Sequence, residues 1–522
     1  MGFSEYGGDA TGAREGIVGK GVSWAPVGLN PDEARPFLHG SGVYNPMFLR
    51  FFPWCANTDR LIVVRSSGGA LLRDEARDTV PRYRRWKLGE RRGGRAVGEL
   101  DAELTGAIAR AVEERRDESV RLLQGLVRIP SVTGQEGAVQ EVVERAMGER
   151  GLEVDRWEAT PEEISPYKEH VGEQPAYESR PNVVGVRAGQ GGGRSLLLNA
   201  HVDTVASGDP ATWGRDPFSG EVEGDSLYGR GACDMKGGLV THLAALDALS
   251  ELEIELRGDV SVAATVGEEN GGLGALSAVL RGYRADAALI TEPTRLRLVP
   301  AQGGSLVFRL EVPGRSAHAA VRDRGVSALE KFVPIFEDLA KLEEERNATL
   351  HHPLYEGLQN KVPINFGLVR AGNWASTVPE SLVAEGRAGL IPGEEIEAFR
   401  ETVAERISAV AERDPWLREN HPKLEWFGGQ FAPAEVPPDA PICQAVKRAH
   451  ERVNGEEPAV EGVPYGADMR LFIRFGETPC VMYGAGDVNV AHAPDEHVSI
   501  DELTIATKTI ACLLADWCGV DG

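Results

Sequence analysis

Four short apolar runs, SLLLNAHVD, VSVAATVGEE, ADAALITEP and CVMYGAGD, each close on a polar cluster, and this pattern restricts the fold more than any other feature. Runs of that length, rich in Val, Leu and Ala, read as strands buried on both faces, the condition of strands in a parallel sheet. Between the first two lies GGLVTHLAALDALSEL, whose period is helical, so strand and helix alternate as in an α/β fold with a mostly parallel sheet. The polar clusters then stand at the C-terminal ends of the strands. Open α/β sheets form their ligand crevice there.

A chain of 522 residues exceeds what one hydrophobic core usually serves. Residues 1–97 scatter Gly, Pro and Arg among short apolar pieces without a sustained period, so little stable structure is expected in them. Their basic piece RYRRWKLGERRGGR, Arg82 to Arg95, reads as a solvated linker rather than a nucleic-acid arm. Regular patterning starts near Leu100, with helical spacing in ELTGAIARAVEERRDESVRLLQGLVRI and EGAVQEVVERAMGERG. The texture changes again near Gly303. There LVFRLEVPGRSAHAA alternates, a helical VSALEKFVPIFEDLAKLEEER follows, and INFGLVRAG, SLVAEGRAGL and KLEWFGGQF read as strands before the connector FAPAEVPPDAP. The predicted organisation is an extension at 1–97, a main body in two parts at 98–302 and 432–522, and an inserted α+β domain at 303–431.

A hydrophobic share of 42% and a charged share of 26% belong to an ordinary globular protein, not a disordered one. The net charge of −24 disfavours nucleic acid and anionic membranes as partners of the body. No apolar run is long enough to span a membrane, and Met1 to Asp9 lacks the charged and apolar regions of a secretory signal, so the expected location is the cytoplasm. Six scattered cysteines, Cys55, Cys233, Cys443, Cys480, Cys512 and Cys518, read as reduced thiols.

The strand ends carry His201 and Asp203 in HVDTV, Glu268 and Glu269 in VGEENGG, and Glu292 in TEPT; Asp234 lies in GRGACDMKGG and His492 in AHAPDE. Taken singly, each has a bland reading as a solvated or hydrogen-bonded residue. Brought together at the ends of buried strands, they would be costly to desolvate unless cations compensated them. Imidazole and carboxylate are also the ligands that hydrolytic zinc prefers, and a bridged pair of ions needs one shared carboxylate.

In order and spacing, LLLNAHVDTV, WGRDPFSGEVEGDSLYGRGACDMKGG, VGEENGG, TEPT, SAHAA and AHAPDE resemble the acetylornithine deacetylase, succinyl-diaminopimelate desuccinylase and carboxypeptidase G family of two-zinc hydrolases. The resemblance covers Leu100 to the C-terminus. It implies a zinc-hydrolase catalytic domain with an inserted ferredoxin-like lid or dimerisation domain. It also implies two divalent ions, zinc with cobalt or manganese as substitutes. Asp234 would bridge them, with His201 and Glu292 on one and Glu269 and His492 on the other. Glu268 would be the general base, on the reasoning that strand alternation separates it from Glu269, and Asp203 would take the N–H of His201 and fix its tautomer. The Asp234–Met235 peptide would be cis. His318 in SAHAA would reach the neighbouring subunit of a homodimer to steady the oxyanion.

Substrate contacts implied by the resemblance are Arg387 for a carboxylate and Asn373, displaced from the usual place beside the Val-Pro pair of WASTVPES; Gly484, in a turn near His492, offers a close backbone approach to substrate, though turn geometry alone also explains it. Asp468 in YGADMR resembles a substrate-side loop and otherwise reads as a helix cap. The implied activity is removal of an acyl group from a small N-acyl amine, foremost an N-acyl amino acid of the acetylornithine or succinyl-diaminopimelate type. A deformylase of an N-formyl-aminopyrimidine, or a dipeptidase or carboxypeptidase of the same fold, follows. A catalytically inactive metal-binding module would lack a ligand or the base, and all seven residues are present.

Overall fold

A computed structural model describes residues 100–520. The expectations for residues 1–97, including the basic linker and Cys55, lie outside the described residues. Nine strands form the main sheet, in the order Glu153–Trp157, Asn182–Arg187, Val260–Thr265, Leu196–His201, Ala287–Ile290, Cys480–Met482, Leu298–Gln302 and Ala434–Glu435, with Val460–Val463 also paired to Leu298–Gln302. The central four run parallel, and antiparallel pairs flank them on both sides. All four apolar runs of the sequence therefore lie side by side, and their polar ends open on one edge.

Burial on both faces explains the absence of alternation in those runs: all six residues of Leu196–His201 are buried. The helix Gly237–Glu251 packs against this sheet and is apolar nearly all round, which suits an element enclosed on every side. Its start is pressed so closely onto the end of Ala287–Ile290 that a Cβ at Gly238 would lie 2.2 Å from Thr291 Oγ1. The C-terminal helix Ile500–Cys518 fills the same core. The stretch with helical spacing after Leu100 forms two helices, Ala102–Glu114 and Arg116–Val127, parted at Arg115.

A second sheet of four antiparallel strands has the order Ile364–Ala371, Ser381–Leu390, Gly304–Pro313 and Lys423–Phe431. Helices Ala328–Thr349 and Ile396–Arg413 complete a β-α-β-β-α-β sequence, the ferredoxin-like arrangement. Its core is separate. Leu306, Phe308, Leu310 and Val312, alternate residues of one strand, meet Phe332, Ile335 and Leu339 of one helix and Phe399, Val403 and Ile407 of the other. No described helix is long and apolar enough to cross a membrane. Cys233, Cys443, Cys480, Cys512 and Cys518 are all free and buried.

Candidate active site

His201 ends its strand, and its Nδ1 lies 3.0 Å from the main-chain carbonyl of Asp203. Donation to that carbonyl fixes the tautomer and leaves Nε2 facing Asp234 Oδ1 at 3.0 Å. The other oxygen of Asp234 faces His492 Nε2 at 3.3 Å, and His492 lies 3.0 Å from Glu269 Oε2. Glu292 Oε1 and Glu268 Oε2 each stand 4.0 Å from His201 Nε2. Two groups of ligand atoms result, His201 with Asp234 and Glu292, and Asp234 with Glu269 and His492, and the atoms of each group lie within 4.8 Å of one another. Asp234 belongs to both. The Asp234–Met235 peptide is cis.

The N–H of His201 goes to the Asp203 carbonyl and not, as expected from the sequence, to its carboxylate, whose Oδ1 faces the same ring nitrogen from 3.6 Å. The same Oδ1 accepts the backbone N–H of Glu268 at 3.1 Å, and Oδ2 accepts the N–H of Glu269 at 3.2 Å and the hydroxyl of Thr133 at 2.9 Å. Glu268 and Glu269 are also not on a strand. The strand stops at Thr265, and Gly267, at φ 70°, turns the chain so that both carboxylates come from the turn after it. Their separation is a property of that turn, not of strand alternation.

Burial pushes the Glu268 and Glu292 carboxyls well above the usual carboxylate range, and the neighbouring acids push the same way. Glu269 is raised by burial and by Asp234. Burial opposes charge on His201, but the hydrogen bond to Asp234 and the acids Glu292 and Asp203 hold its pKa well above the ordinary value. His492, bonded to Asp234 and Glu269, is raised to about 10. Four carboxylates thus crowd two imidazoles, with His201, Glu268 and Glu292 buried and His492 exposed at the mouth, a set short of positive charge. Two divalent cations would supply it, and the donors fit them: imidazole and carboxylate, one carboxylate common to both groups.

Other expected residues lie elsewhere. His318 is exposed on the second domain, its Nδ1 accepting from its own loop at Ala320, and among the described residues no hydrogen bond or ion pair joins it to either group. Asn373 is exposed on the loop beside it, where Ser376 accepts from Ala319 and Thr377 bridges His318. Arg387 is half-buried and donates Nη2 to the carbonyl of Pro464 at 3.1 Å, while its Nε has no partner. Gly484 does not offer its backbone to a ligand. Its N–H is taken by Thr294 Oγ1 at 3.0 Å, and a Cβ there would lie 2.5 Å from the Glu292 carbonyl, so its smallness serves the seating of Glu292. Asp468 stands before a short helix without capping it; it is buried, and neither carboxylate oxygen has a partner. The residue overlooked in the sequence is Glu496, the last of AHAPDE, whose buried carboxylate holds the Asp234 turn.

Residues 197–516 match the model of peptidase family M20/M25/M40. The chain is 29% identical to N-formyl-4-amino-5-aminomethyl-2-methylpyrimidine deformylase of Bacillus subtilis, over 79% of this chain and 97% of that protein. It is 26% identical to acetylornithine deacetylase of Edwardsiella ictaluri, over 76% of this chain and 97% of that one. Its fold is that of the di-peptidase Dug1p of Saccharomyces cerevisiae, with a TM-score of 0.65, 14% identity, and coverage of 80% of this chain and 99% of that structure. The chain belongs to peptidase family M20/M25/M40 and is a metal-dependent hydrolase of amide bonds.

Proposed function

We propose that this chain is a two-zinc deacylase that removes a small acyl group, formyl foremost, from an amine. The observation that carries the reading is the carboxylate of Asp234 turned to two imidazoles at once, with Glu268 beside them. Asp234 would be the shared ligand, with His201 and Glu292 holding one ion and Glu269 and His492 the other; cobalt or manganese would suit the same donors. Bound there, two divalent ions would supply a Lewis acid for the acyl carbonyl and lower the pKa of water so that it can be deprotonated for attack. Glu268, 4.0 Å from His201 Nε2, is placed to take the proton of the attacking water and return it to the leaving amine. Asp203 keeps Glu268 and Glu269 in place through their backbone N–H groups.

The working unit is a cytoplasmic homodimer. Leu329, Val333 and Phe336 lie exposed along one face of the helix Ala328–Thr349, and the edge strand Ile364–Ala371 exposes Leu368 and Val369. An apolar helix face beside an unpaired strand edge suits a second copy of the same element. His318 then serves the site of the other subunit by donating to the oxyanion, consistent with its freedom from the ligand groups of its own chain. Residues 98–302 and 432–522 form the catalytic body, and 303–431 the lid.

A formyl-aminopyrimidine leads among substrates because a relative covered almost end to end is a deformylase of one. An N-acyl amino acid of the acetylornithine or succinyl-diaminopimelate type is the second reading, favoured by the half-buried Arg387 guanidinium, which has no acidic partner among the described residues and is open to a carboxylate. Turnover of N-formyl aminomethylpyrimidine, N-acetylornithine, N-succinyl-diaminopimelate and dipeptides by the zinc-loaded protein decides between them. Release of formate at the highest kcat/KM supports the first. Cleavage of dipeptides alone refutes deacylation.

A further inference from the structure

The turn that carries Asp234 is held by an acid from a distant part of the chain. Backbone N–H groups of Gly231, Cys233 and Asp234 converge on Glu496 Oε1, at 2.9, 3.1 and 3.2 Å. The other oxygen receives Arg230 Nη1 at 2.5 Å, and the side chain of Glu496 has no solvent exposure. The main chain continues the connection: Gly229 N–H donates to the Glu496 carbonyl at 2.8 Å. Beyond that bond, Ser226–Tyr228 and His497–Ser499 pair as antiparallel strands. Glu496 stands four residues after His492. One residue therefore joins the segment bearing Asp234 to the segment bearing His492.

Three N–H groups of one turn aimed at one point form a nest for an anion. An aspartate in such a turn ordinarily satisfies N–H groups close to it in the chain with its own carboxylate. Here the nest is already filled, and by an acid whose charge is balanced by Arg230. Asp234 is left with both oxygens outward, at 3.0 Å from His201 and 3.3 Å from His492. A neutral amide in the place of Glu496 would keep one acceptor oxygen but turn N–H groups to either the nest or Arg230 and lose the charge, and the Asp234 carboxylate would become the better acceptor.

We propose that Glu496 is a positioning residue for the metal cage: it occupies the backbone nest that would otherwise capture Asp234, and it fixes the spacing of Asp234 and His492. The inference rests on the assignment of those two residues as ligands. Zn2+ affinity, measured by chelator competition on the full chain, separates the two questions. Binding of fewer than two ions by the unaltered protein would refute the ligand assignment itself.

Given two ions in the unaltered protein, Glu496→Gln should lower Zn2+ affinity by about 10- to 100-fold, the usual effect of removing a group that orients a ligand. Glu496→Asp keeps the charge and should recover part of it. Val498→Ala thins the core beside the same strand pair without touching the nest, and serves as the control. It should lower the melting temperature but leave Zn2+ affinity unchanged. Wild-type affinity in Glu496→Gln overturns the proposal, as does a loss in Val498→Ala equal to that in Glu496→Gln at matched melting temperature. If Glu496→Gln does not fold, Glu496→Asp decides: reduced affinity upholds the proposal and unchanged affinity refutes it.

Discussion

The carboxylate of Asp203 accepts the backbone N–H of Glu268 at 3.1 Å, so an acid two residues past His201 sets the position of the proposed base. Replacing it by Asn would keep one acceptor oxygen but turn an amide N–H toward one of the donors it now satisfies. Asp203→Asn should lower kcat by about 10- to 100-fold, in the range seen for groups that orient site residues. Steady-state kinetics with metal content measured in parallel checks this. The fall in kcat should exceed any loss of metal, because the ligand His201 is held by the Asp203 carbonyl, which Asn retains.

His242 sits in the buried helix Gly237–Glu251 with Nε2 against Thr291 Oγ1 and Nδ1 without a partner. Burial alone lowers its pKa to about 3. In the unfolded chain it regains an ordinary value near 6.5, so between these pH values the unfolded state binds one proton more. The resulting stability is fully present above pH 6.5 and declines as pH falls, by about 1.4 kcal/mol per pH unit for this group. Urea unfolding from pH 6.5 to 5 should show a mean slope shallower by about 1 kcal/mol per pH unit in His242→Gln, since the unfolded histidine is only half protonated at pH 6.5. Parallel slopes for the two proteins would show that His242 is not held neutral.

Gly484 is confined by the Glu292 carbonyl, 2.5 Å from where its Cβ would be. Gly484→Ala should destabilise the fold by about 1–3 kcal/mol, the usual cost of overpacking, and weaken metal binding through the displaced Glu292. Thermal unfolding and metal titration of the variant check both effects.

If His318 serves the opposite subunit, His318→Ala and Glu268→Ala should each be inactive alone and regain activity when unfolded, mixed and refolded together. Random pairing makes half of the dimers mixed and gives each of those one complete site, so about a quarter of wild-type activity should return. No recovery in a confirmed mixed dimer would place His318 in the site of its own subunit, and full activity of His318→Ala alone would place it outside the reaction.

Much of this site is legible because chemistry and burial coincide at strand ends. The apolar runs before His201 and Glu292 announce strands, and the polar residues after them are conspicuous for being there at all. The helix Gly237–Glu251 is legible by its period and length. Backbone interactions are not. Strand alternation is the expected cause of the parting of Glu268 and Glu269, but Gly267 at positive φ ends the strand first; a glycine before two acids is the available signal. Asp203 and Glu496 act on N–H groups, which almost every residue possesses, so no side-chain pattern marks their targets. Arg387 meets a main-chain carbonyl at Pro464, 77 residues away, for the same reason beyond the reach of spacing. Asn373 and His318, by contrast, stand on neighbouring exposed loops joined by the His318–Thr377 bridge, a pairing that no spacing in the sequence marks.

The most direct test of the central claim is hydrolysis of N-formyl and N-acyl amines by metal-loaded Glu268→Gln beside the unaltered protein, with bound zinc counted in both. A two-zinc site with Glu268 as its base requires about two zinc ions per chain in each protein and a fall in kcat of about 10²- to 10⁴-fold in the variant, the usual contribution of general acid–base catalysis. A variant that keeps its zinc and its turnover would contradict the assignment of Glu268, and an unaltered protein that hydrolyses amides without bound metal would contradict the cage around Asp234.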